Sequence, residues 1–86
     1  MQTDLGTLKE KVLKAAQNSV IAPLVEDIVL ETARDDEGAD FLRVIIQVKN
    51  ADKADDSDFE KLLESIEQAV GDVDERYPSV RFSDAA

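Results

Sequence analysis

Phe41-Leu42-Arg43-Val44-Ile45-Ile46-Gln47-Val48-Lys49 is the stretch that decides the fold. Leu42, Val44, Ile46 and Val48 fill every second position, and a period of two belongs to a strand with one face on a core. The other face mixes Phe41 and Ile45 with Arg43, Gln47 and Lys49. Upstream, Ile28, Leu30 and Thr32 alternate with Val29, Glu31 and Ala33 in the same way. Between the two runs lie Asp35, Asp36, Glu37, Gly38, Ala39 and Asp40, and the glycine suits a position of positive φ. The pattern predicts a hairpin with strands near 27–34 and 41–49.

Helical periodicity flanks the hairpin on both sides. Thr7 and Glu10 have capping-box spacing, and Leu8, Val12, Ala15, Ala16 and Ser19 follow on one face, extended upstream by Leu5. This predicts a helix near 7–20, closed before Pro23. Ser57 and Glu60 repeat the capping spacing. Phe59, Leu62, Leu63, Ile66, Ala69, Val70, Val73 and Tyr77 then fall within an arc of about 120° at 100° per residue. One helix is expected from 57 to 77, continuous through Gly71 and ended by Pro78. Val80 and Phe82 alternate with Ser79, Arg81 and Ser83 as a strand near 79–83.

The order is α-β-β-α-β in one domain spanning 1–86. Both helices are expected on one face of a three-stranded sheet, a two-layer α+β sandwich. The third strand is expected beside the first and parallel to the second, giving order 2-1-3.

The chain has 86 residues with 20 Asp or Glu, 10 Lys or Arg, no His and no Cys, for a net charge of −10. Missing His removes the side chain that titrates near neutrality, and missing Cys removes thiolate nucleophiles and disulfides. Ser19, Ser57, Ser65, Ser79 and Ser83 have no base in a recognisable arrangement, and Gly6, Gly38 and Gly71 make no phosphate loop. A non-enzymatic protein without a cofactor is expected. The negative charge disfavours phosphate backbones and anionic lipid, so neither nucleic acid nor membrane is an expected partner. Met1 to Gly6 carries no basic-then-apolar leader, which predicts a cytoplasmic address.

Two surfaces stand out as places where a protein could dock. The sheet face away from the helices would carry Val29, Glu31, Phe41, Arg43, Ile45 and Arg81, apolar side chains ringed by charge with no segment left to cover them. Arg43 and Arg81 could meet Glu31 across a two-fold axis. The second surface is a docking strip for a basic partner on the long helix, formed by Glu60, Glu64, Glu67, Asp74 and Glu75. Like charges at these spacings oppose one another by about 0.2–0.5 kcal/mol per pair. Carboxylates also gather at Asp35, Asp36, Glu37 and Asp40, and at Asp52, Asp55, Asp56 and Asp58, but without calcium-loop spacing.

The expected function is a small acidic protein–protein interaction module, working as a homodimer or accessory subunit through the open sheet face. Two other readings fit the composition: an acidic neutraliser of a basic partner, such as an antitoxin or inhibitor, and a ligand- or metal-sensing regulatory domain.

In element order the chain resembles the small α-β-β-α-β domains at the cytoplasmic end of cation-diffusion transporters and at the start of ribosome-maturation factors. Glu75-Arg76-Tyr77-Pro78 is similar to the former. The metal ligands of the transporter domain include His, which is absent here, so no site or activity is carried over from either family.

Overall fold

The strand Asp40–Val48 runs through the middle of a three-stranded mixed sheet. In the computed structural model, which describes residues 3–84, the elements are α1 (Leu5–Gln17), a single 3-10 turn (Ala22–Leu24), β1 (Val25–Arg34) and β2 (Asp40–Val48). A second 3-10 turn (Ala51–Lys53), α2 (Asp56–Gly71) and β3 (Pro78–Asp84) complete the α-β-β-α-β order. β1 pairs antiparallel with β2, and β3 pairs parallel with it.

The sheet order is β1-β2-β3, which corrects the expected 2-1-3. β3 is parallel to β2, as expected, but lies directly beside it. The reason is visible in β2 itself, where Leu42, Val44, Ile46 and Val48 are at most 1% exposed. A strand so completely buried on one face belongs in the centre, with its backbone groups paired on both edges. β1, with Glu26 and Asp27 near its start and a bulge between Val25 and Asp27, takes an edge instead.

The core lies between the sheet and the two helices. Leu8, Val12 and Ala16 from α1 and Leu62, Ile66 and Val70 from α2 pack with Ile21, Ile28 and the four buried residues of β2. At an edge of this core, Phe59 and Phe82 meet edge to face, with centroids 5.0 Å apart.

Helix boundaries differ from the sequence pattern because aspartates do the capping. Asp4, not Thr7, caps α1: its carboxylate accepts from the Thr7 backbone N–H at 3.0 Å and from the Thr7 hydroxyl at 2.8 Å. These bonds favour the ionised form and hold the Asp4 carboxyl below its ordinary range. Asp55 and Asp58, not Ser57 and Glu60, form the reciprocal box at α2.

α2 ends at Gly71, six residues short of the expected Tyr77. Val73 still packs against the core, which is why the apolar phase runs on past the true end. The chain then turns at Asp74, and Tyr77 leaves the helix layer altogether.

Candidate functional site

Alternation along the three strands fixes what the outer sheet face carries. β2 turns Leu42, Val44, Ile46 and Val48 inward, so Phe41, Arg43, Ile45 and Gln47 point outward. The pairing sets them in level rows. Val29, Ile45 and Arg81 share one row, and Glu31, Arg43 and Ser79 the next. Val29, Phe41 and Ile45 are half-buried by their neighbours within the sheet, while Glu31, Arg43 and Arg81 are exposed. The six residues expected to form this surface therefore do share one face.

Within one chain, one of the two arginines expected to meet Glu31 is already beside it: Arg43 Nη1 donates to Glu31 Oε1 at 3.2 Å, with both side chains about half exposed. The guanidinium also sits 5.8 Å from the Phe41 ring centroid. Among the described residues, no ion pair engages Arg81.

Phe41 is covered on one side by Tyr77, which the sequence pattern had assigned to α2. Their rings stack with centroids 5.3 Å apart and planes 13° from parallel, and Tyr77 remains 55% exposed. The signal for this placement is Pro78, since the residue before a proline is steered away from helix toward extended backbone. Leu42 N–H donates to the Tyr77 carbonyl at 3.0 Å, so Tyr77 leads into the start of β3.

A buried clasp holds the segment that delivers Tyr77. The Asp74 carboxylate accepts from the Arg76 backbone N–H and Nε, both at 2.9 Å, from Arg76 Nη2 at 2.8 Å and from Thr3 N–H at 2.7 Å. Arg76 Nη2 also donates to the Thr3 carbonyl at 3.0 Å. The Asp74 side chain is fully buried and that of Arg76 is 9% exposed. The Arg76 hydrogen bonds hold the Asp74 carboxyl far below the usual carboxylate range, overcoming burial, and the same pairing raises the Arg76 guanidinium.

Asp74 therefore does not belong to the acidic docking strip. Glu60, Glu64 and Glu67 are exposed on α2, whereas Glu75 lies in the loop beyond the helix. The expected five-residue ridge reduces to three glutamates on the helix.

The other carboxylates have local roles. Asp35 accepts from the backbone N–H groups of Glu37 and Ala39, both at 2.9 Å, and shapes the hairpin turn where Gly38 has φ 83°. Asp55 and Asp58 cap α2. Among the described residues no group of three carboxylates converges as a metal site. No helix among them is long and apolar enough to cross a membrane.

No protein-family model matches the chain, and no curated protein matches it. Among solved structures, the chain is similar to one titled "MamM CTD - Copper form", at 13% identity and a TM-score of 0.48, over 95% of this chain and 89% of that one.

Proposed function

We propose that this chain is a non-enzymatic protein–protein interaction module of the cytoplasm whose contact surface is the outer face of its sheet. The observation that carries the reading is the strip of Val29, Ile45, Phe41 and Tyr77. These apolar side chains lie on a face against which neither helix packs, because both helices share the core on the other side. A solvated sheet face needs no such strip. A protein contact does, and Tyr and Arg are the side chains enriched at the energetic centre of interfaces. Arg43, Arg81 and Tyr77 supply both types. The net charge of −10 argues against phosphate backbones or anionic lipid as the partner.

The test is native mass spectrometry of the protein purified from its own cells, as wild type and as Ile45→Asp. The wild type is expected in a defined assembly that the substitution disperses, with circular dichroism unchanged. A wild type recovered only at its own single-chain mass would end this reading.

A further inference from the structure

We infer that the partner on the outer sheet face is a second copy of this chain, docked about a two-fold axis that runs parallel to the strands. This rests on the outer face being the contact surface, and it adds the identity and orientation of the occupant.

Charge and size are distributed unevenly across that face. On β1 it carries the carboxylates Asp27 and Glu31, and on β3 the guanidinium of Arg81. Val29 lies on β1 between its two carboxylates, and β2 carries Phe41 and Ile45 with Arg43 and Gln47 on this face. One edge strand is negative and the other positive, with an apolar pair, Val29 and Ile45, in the row that Arg81 shares.

A two-fold axis over β2 and parallel to it places β1 of each copy opposite β3 of the other. The level rows are preserved by that rotation. Arg81 shares a row with Val29, so it comes to lie between the partner copy's two β1 carboxylates, each two positions away along the strand. Tyr77, beside Phe41, faces Ala33, which pairs with Phe41 on the other edge. A large side chain thus meets a small one. Ser79, level with Glu31, presents a hydroxyl to a carboxylate. Ile45 meets its own copy on the axis. Arg43 also approaches the axis, but Glu31 already neutralises it and draws it aside.

The other face-to-face two-fold runs across the strands. It sets β1 on β1 and β3 on β3, so that carboxylates face carboxylates and Arg81 faces Arg81. Like charges brought together at an interface are what excludes a wrong arrangement. Two sheets packed face to face lie about 10 Å apart, which brings these side chains within reach of one another.

The experiment is sedimentation equilibrium on wild type, on Arg81→Glu and on the double variant Asp27→Lys/Glu31→Lys. Wild type is expected to be a dimer at concentrations of order 100 μM. Each variant puts like charges across both contacts and is expected to dimerise roughly tenfold or more weakly. An equimolar mixture restores opposite charges at both contacts and is expected to recover a heterodimer. Because Glu31→Lys also deprives Arg43 of its partner, a second measurement uses the absence of native Cys. Ala33→Cys mixed with Tyr77→Cys is expected to be joined by a short bis-maleimide. Either variant alone stays unjoined, since its two copies lie on opposite edges.

A monomeric wild type whose native assembly contains a different protein overturns the second-copy inference and leaves the sheet-face reading intact. A wild-type dimer that Ile45→Asp does not disperse overturns both. A dimer that Ile45→Asp disperses, but with no recovery in the charge-swap mixture and no selective crosslink, overturns the orientation.

Discussion

Tyr77 lies nearly flat on Phe41, with ring centroids 5.3 Å apart and planes 13° from parallel. This contact joins the start of β2 to the start of β3 on the side of the sheet away from the core, next to the register pair Leu42 and Pro78. It makes the loop after α2 part of the outer surface rather than a mere connector.

Tyr77→Ala is expected to destabilise the isolated chain by about 0.5–1.5 kcal/mol beyond its area loss, the usual worth of an aromatic pair. Tyr77→Phe keeps the stack and is expected to stay close to wild type. Urea denaturation of both variants checks it, and equal losses would mean that the hydroxyl, not the ring, does the work.

Ile46→Ala, on the core face of β2, is expected to cost about 2–5 kcal/mol, since the side chain is fully buried and its removal leaves a cavity. Ile45→Ala, one position along, is only half-buried in the chain and is expected to cost clearly less in a dilute, monomeric sample. Chemical denaturation at low concentration separates the two, and matching penalties would place Ile45 in an intramolecular core.

Asp74→Ala leaves the Arg76 guanidinium buried without its counter-charge and is expected to cost about 3–5 kcal/mol. The folded Asp74 carboxyl is held far below its ordinary value of 3.8, so its contribution is fully present above that value and starts to fade as pH falls through it, where the unfolded chain takes up the proton while the folded one stays ionised. Stability measured from pH 7 down to pH 3 is expected to fall more steeply for wild type than for Asp74→Asn. Parallel curves would show that other carboxylates carry the acid response.

Gly71→Ala is expected to stabilise by about 0.4–1 kcal/mol, through the lower entropy of the unfolded chain. The position closes α2, and an added Cβ meets nothing within 4 Å. Gly38→Ala is expected to move the other way, because its φ of 83° strains any side chain. Thermal melts of the two variants should shift in opposite directions.

The inward row of β2 was legible because burial of one strand face writes itself directly into alternate residues. That row, with its counterparts on β1 and β3, was enough for the two-layer arrangement and for the six outer-face residues. Strand order was not legible. An apolar face records that a strand is covered, not which strand lies at its edge, and only the complete burial of Leu42, Val44, Ile46 and Val48 tips β2 to the centre. The end of α2 was hidden because Val73 keeps helical phase while packing from a turn. Asp74 read as surface charge for a related reason. Its partners, Arg76 and Thr3, include one from the far end of the chain, and no local pattern marks a carboxylate for burial.

The Thr3 to Asp74 bond spans 71 positions of sequence. Closing so long a loop costs more chain entropy than a local contact such as Arg76 to Asp74, two residues apart, so the Thr3 bonds gain nothing until the sheet and helices have already brought the two ends together. The Thr3 bonds are therefore expected to form after the folding barrier. Interactions of that kind act on the rate of escape from the native state and leave the rate of arrival nearly unchanged. Loosening Thr3 would then shorten the lifetime of the folded chain without slowing its formation, and the persistence of the molecule in a proteolytic environment would rest in part on that one residue.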